Sequence, residues 1–227
     1  MEFESVNVLA DKSGMEELRR LGARSVPVVS RGDQFVFAQV IKDVVDFLDL
    51  DDDTRPQLTP TELATRYGEI LDTAIRLTRQ MPDGRLDDEL PNRPRSWRVL
   101  MHHVFQIPTS FLDMEETGQA LTYENMVAPP PQDMRTSDDI ATFGEQVRAR
   151  FARWWADAEG EDFEGQVPTY FGGTTRHEML ERTVWHSTQH VRQLASLLET
   201  AGVRPDRPLT ADHIRGLPLT EKVWDET

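Results

Sequence analysis

His186 and His190 lie four residues apart in Val184-Trp185-His186-Ser187-Thr188-Gln189-His190-Val191. No Gly or Pro interrupts residues 174–200, so this stretch is predicted to be helical. At 3.6 residues per turn the two imidazoles fall one turn apart on one face. Met179, Thr183, Leu194 and Leu197 continue that stripe and mark it as core-facing. Two imidazoles on one inward stripe can grip a single divalent ion if a third ligand comes from elsewhere. The candidate is His103, which shares an inward stripe with Leu100, Ile107, Phe111 and Met114. His-x-x-x-His is a common spacing and here lacks the Glu of the zinc-protease motif, so three core imidazoles with no metal are the competing reading. His102 points about 100° away from His103 and is assigned to packing or to support of the site. His177 is expected to be exposed on the opposite face, and His213 to lie at the surface of the tail.

Three neutral imidazoles would leave a divalent ion with open positions for water or an anionic ligand. A thiol bound there would lose its proton, because the cation stabilises thiolate. Zinc and nickel are the natural ions for such a site, with iron and manganese open. Each ring needs an acceptor for its other nitrogen, and Glu178, Glu181 and Gln189 are near in sequence. Trp97, Trp185, Tyr170 and Phe171 can wall a pocket or serve as ordinary core aromatics. The chain has no Cys, which excludes disulfides, Cys-based zinc sites and any protein thiol. A sulfur nucleophile must therefore arrive as a substrate.

The positioning elements follow from the pattern. Apolar residues at helical spacing predict four long helices. Residues 61–80 carry Leu63, Tyr67, Ile70, Leu71, Ala74 and Leu77 on one face. A second helix starts near Ser96 and contains Pro108, a candidate kink. Residues 137–158 carry Ile140, Phe143, Val147, Phe151, Trp154 and Trp155, and the fourth helix begins near Thr174 and ends by Gly202. Residues 119–134 form a long connection with three consecutive prolines that can drape over one end. A short helix near residues 211–215 and an extended tail close the chain. Four such helices imply an antiparallel four-helix bundle over 61–204. Residues 205–227 form the tail.

Residues 1–50 read differently. Strands are expected at 3–9, 26–29 and 34–37, with Arg31-Gly32-Asp33 as a tight turn, and helices at 11–21 and 40–48. Residues 51–60, acidic and holding two prolines, read as a linker. They lack the Gly and terminal Glu of a calcium loop. The fold class is thus α+β, an α/β unit followed by the bundle. The net charge of −15 argues against a nucleic-acid partner. No apolar run reaches membrane-span length and the acidic start is no signal peptide, so the chain is expected to be soluble and cytoplasmic.

Two resemblances add to this. The segment at 3–9, then Leu18-Arg19-Arg20-Leu21-Gly22 through Ser25-Val26-Pro27-Val28-Val29, resembles the second half of a glutaredoxin. In that family the Pro matching Pro27 is cis and shapes a thiol-binding groove. The family's first strand and redox-Cys helix have no counterpart here, so the resemblance implies a truncated thioredoxin-like unit without redox activity. The missing strand would lie mid-sheet, so another segment fills the gap, the strands rearrange, or the assigned start codon is wrong.

Residues 59–200, about two-thirds of the chain, resemble the DinB family of metal-binding four-helix bundles, which includes bacillithiol transferases and mycothiol-dependent maleylpyruvate isomerase. The carrying motifs are Ser96-Trp97-Arg98-Val99-Leu100-Met101-His102-His103 and His186-Ser187-Thr188-Gln189-His190. Counted back from His103, Leu100 stands where the motif has Leu; counting from His102 breaks the register. The resemblance implies metal ligands at His103, His186 and His190 and a transferase or isomerase that activates a low-molecular-weight thiol toward an electrophile. A non-catalytic metal-binding, stress-associated or interaction protein is the alternative. A hydrolase using the same ion has no positioned acid or base in its favour. Members of this kind often dimerise, and the edge left by the missing strand gives a further reason to expect a homodimer.

Overall fold

A computed structural model describes residues 3–8, 11–23, 26–91 and 93–224. Among them are eight α-helices and three two-stranded antiparallel sheets, an α+β composition. The chain divides into two compact units, one running to Arg55 and one starting at Pro56. No helix among the described residues is long and apolar enough to cross a membrane.

The first unit holds α1 (Lys12–Leu21), β1 (Val28–Arg31), β2 (Gln34–Phe37) and α2 (Ile41–Phe47). Asp11 caps α1 by accepting from the Ser13 backbone amide, and Gly22 closes it at φ 77°, a left-handed turn that glycine adopts without a Cβ clash. β1 and β2 pair through Arg31↔Gln34, with Gly32 and Asp33 at the turn. The Val26–Pro27 peptide is cis. The strand expected at 3–9 does not form over its described part: residues 3–7 are irregular, and Phe3 and Val6 are 84% and 43% exposed. A strand needs a neighbour to satisfy its ladder of amides and carbonyls, and none pairs with this segment among the described residues. Leu9 lies outside the described residues.

The second unit is built on four long helices, α3 (Pro60–Gln80), α4 (Trp97–Thr117), α6 (Ser137–Ala158) and α7 (Arg176–Thr200), with short helices α5 (Tyr123–Met126) and α8 (Ala211–Ile214). Their starts are set by capping chemistry. Thr59 with Glu62, Thr136 with Asp139 and Thr175 with Glu178 each form a reciprocal capping box, and Ser96 caps α4. α3 and α4 each pack on both α6 and α7. The apolar stripes meet in one core that includes Tyr67, Phe105, Phe111 and Phe151. Gly144 of α6 is needed at this packing: a Cβ there would stand 2.6 Å from the Phe105 ring.

Two hairpins precede the helices that carry the histidines. β3 (Glu89–Leu90) pairs with β4 (Arg93–Ser96) before α4, and β5 (Gln166–Thr169) pairs with β6 (Gly172–Thr175) before α7. The stretch from Tyr170 to Gly173 is therefore a hairpin turn running into β6. The long connection is tied to it, since the Leu121 amide donates to Pro168 O at 3.0 Å and the Tyr170 amide to Leu121 O at 3.0 Å.

α4 passes through Pro108 as one helix. Proline has no amide to offer the Val104 carbonyl one turn back. Ser187 Oγ of α7 donates to that carbonyl at 3.2 Å, and its remaining oxygen capacity accepts the Tyr67 hydroxyl of α3 at 2.8 Å. The buried chain joins three helices one residue from His186. Ser187→Val would strand both the Tyr67 hydroxyl and the Val104 carbonyl and should cost about 2–3 kcal/mol, whereas Tyr67→Phe keeps the Ser187–Val104 bond and should cost about 1 kcal/mol. Urea unfolding followed by tryptophan fluorescence measures both, and equal losses would contradict the network.

Candidate metal centre

His103 comes from the second turn of α4, and His186 and His190 from the middle of α7. The elements bring all three together. Ring centroids are 5.3 Å apart for His103–His186, 5.1 Å for His103–His190 and 5.0 Å for His186–His190. One nitrogen from each ring lies within 4.8 Å of the others, and the group can hold a metal ion. A tetrahedral ion with nitrogens at its usual bond length sets them about 3.3 Å apart, so the rings need close by roughly an ångström or less each. His103 and His190 are buried, and His186 is half-buried.

The electrostatics favour the neutral form, the one that ligates, at His103 and His186. Burial pushes His103 and His186 well below the ordinary histidine value, and the neighbouring histidines add to this. Two cations sharpen it: Arg95 of β4 acts on both rings, and Arg182 on His186. A backbone hydrogen bond to Met126 opposes the shift at His103. Since the folded pKa values lie below the unfolded ones, the unfolded chain binds more protons below about pH 6.5. Metal-free protein should therefore lose stability as pH falls from about 6.5 toward 5, before most carboxylates protonate. Thermal melts in chelator across that range check it, and a flat profile would contradict neutral buried rings.

His190 has a defined outer partner. Its Nδ1 lies 2.7 Å from Gln193 Oε1, and Gln193 Nε2 donates to Val223 O at 3.0 Å. The three acidic or amide residues expected in that supporting role work elsewhere. Glu178 accepts from the Thr175 amide, Gln189 donates to the tail, and Glu181, pushed up to about 7 by burial, is set against the Gln57 backbone. Gln193 was legible as the residue three beyond His190, on the same face. Arg182 was legible in the same way, four before His186. Arg95 and Met126 carry no such signal, because a hairpin and a connection bring them in.

The other histidines separate cleanly. His102 is buried, stacked on Phe143 at 5.2 Å, and held down to about 4 by burial and by Arg98. His177 was expected to be exposed; it is half-buried and its Nε2 meets Leu58 O at 2.8 Å, because the segment leading into α3 folds over that face. His213 is likewise half-buried, its Nδ1 accepting the Thr210 amide at 3.0 Å to cap α8. Of the aromatics, Trp97 is core, while Trp185 lies 5.6 Å from His186. Arg182 stands 4.6 Å from the Phe171 ring and 5.7 Å from Trp185. Two open surface recesses, of about 500 and 630 Å³, lie away from the triad, beside Glu62, Arg66 and Asp212 and beside Glu199 and Arg204.

No family model matches this sequence, and no curated protein is found to be similar to it.

Proposed function

We propose that the protein binds one divalent metal ion, zinc or nickel by ligand chemistry, through His103, His186 and His190, and uses it to activate a low-molecular-weight thiol toward an electrophile. The observation that carries the reading is the convergence of three imidazole nitrogens within 4.8 Å from two helices. In this reading α3, α4, α6 and α7 form the antiparallel four-helix bundle of a DinB-like protein, and the unit to Arg55 is a remnant of a glutaredoxin-like domain. The DinB-like motifs and the segment Ser25-Val26-Pro27-Val28-Val29 support it.

When bound, the ion would lower the pKa of a coordinated thiol so that it ligates as thiolate. The chain's own residues suit that ligand. Three neutral imidazoles add no negative charge to the ion, and Arg95 and Arg182 supply positive potential beside it. The half-buried side at His186, with Trp185 next to it, offers an approach for thiol and electrophile.

Cobalt substitution gives a direct test, because the chain has no Cys. A thiolate-to-cobalt charge-transfer band in the near ultraviolet can then come only from added thiol. The reading expects that band on titration with a small thiol and its loss in His186→Ala. Cobalt binding with no thiol band would leave a metal-binding protein without thiol chemistry and sink the transferase or isomerase reading.

A further inference from the structure

The segment after the buried Leu217 does not trail into solvent. Leu219 and Trp224 pack against the core, and the backbone between them is gripped by side chains of α7. Arg192 donates to Thr220 O at 2.7 Å and to Glu221 O at 2.8 Å. Gln189 donates to Lys222 O at 3.3 Å and to Val223 O at 2.9 Å. Trp224 Nε1 donates back to Ser196 Oγ at 3.0 Å. Val223 O also accepts from Gln193, the residue that holds His190.

That last contact decides which way the Gln193 amide faces. With Nε2 committed to a carbonyl that can only accept, Oε1 is the atom turned to His190. A carbonyl oxygen also only accepts, so His190 Nδ1 carries the proton and the ring lone pair is on Nε2. A ligating histidine needs such an acceptor to fix both its tautomer and its ring plane.

We propose that residues 217–224 form a strap that, through Val223 O and Gln193, orients His190 for the ion, so that metal affinity depends on a segment with no metal ligand of its own. The inference rests on the three-histidine reading. It assigns Gln193 as a positioning residue and makes the strap the part of the fold through which a change at the surface reaches the metal.

The test is zinc affinity of the full chain, by competition with a chromophoric chelator at fixed pH. Gln193→Leu keeps side-chain bulk and removes both bonds; it should weaken zinc binding about 10–100-fold, the usual loss for an outer acceptor. Gln193→Glu keeps an acceptor at His190 and should stay within several-fold of wild type. The pair Arg192→Leu with Trp224→Ala removes three of the strap's bonds to α7 without touching His190 or Gln193 and should weaken binding several-fold. Circular dichroism of each metal-free variant checks folding, and should Gln193→Leu not fold, the strap pair decides. Wild-type affinity in folded Gln193→Leu and in the strap pair overturns the proposal while leaving the metal site standing. Absence of zinc binding by the wild type overturns the three-histidine reading itself, and this proposal with it.

Discussion

Glu115→Ala should lower the stability of the second unit by about 3–5 kcal/mol, the usual cost of leaving one partner of a buried ion pair alone. Its carboxylate is 4% exposed and lies 2.6 Å from Arg176 Nη2, whose own side chain is 16% exposed. Arg176 Nε donates to the same carboxylate at 2.8 Å, and Trp154 Nε1 at 3.1 Å. The pair therefore joins α4, α6 and α7 in one place. The guanidinium sits 4.4 Å from the Phe163 ring, which further limits its access to water. After truncation Arg176 would keep Glu161 at 2.7 Å, an exposed partner, and Trp154 would lose its acceptor.

The neighbouring residue supplies the contrast. Glu116 pairs with Arg150 at 2.7 Å, with the two side chains 44% and 26% exposed. Solvent screens that pair, so Glu116→Ala should cost about 1 kcal/mol or less. All five tryptophans follow Pro56, so fluorescence-detected urea unfolding reads the second unit specifically. Similar losses for the two variants would show that burial does not set the strength of the Glu115 pair.

The second large effect comes from linkage. An ion that binds only the folded protein stabilises it by about 2.7 kcal/mol at 100 times its Kd and about 4.1 kcal/mol at 1,000 times. Zinc at those ratios should raise the melting temperature of the wild type and leave His186→Ala unmoved. His186 is the right ligand to remove because it is half-buried, so its loss disturbs packing less than loss of His103 or His190. Protons compete with metal only where they bind the folded rings. Burial holds His103 and His186 well below the ordinary value, so the protection should persist at pH 6, where a free imidazole is mostly protonated. Equal zinc protection of wild type and His186→Ala would place the ion elsewhere.

The helices and the histidine cluster were legible because both rest on period. Residues such as Leu63, Tyr67, Ile70 and Leu77 recur at helical spacing and are buried, and the same arithmetic put His186 and His190 on one face. What period does not encode was missed. The hairpins are four residues or fewer per strand and contain Arg, Pro and Gly in place of alternating apolar residues, so β3 to β6 leave no pattern to read. Pro108 marks a carbonyl left without its helical donor, but the sequence cannot show Ser187 arriving from another helix to take it. The segment at 3–9 has strand composition, but a strand is a property of a pair. Gln193 was visible by spacing, yet its role depends on the Val223 carbonyl, which the tail delivers from thirty residues on.

The central claim is that three histidines hold one ion, and the most direct measurement is the metal content of tag-free protein by mass spectrometry of the released ions. The account predicts about one zinc or nickel per chain in the wild type, retained through gel filtration, and none in the variant with His103, His186 and His190 all replaced by alanine. No ion in the wild type, and no uptake when zinc or nickel is added, would contradict it and leave the three imidazoles as core residues.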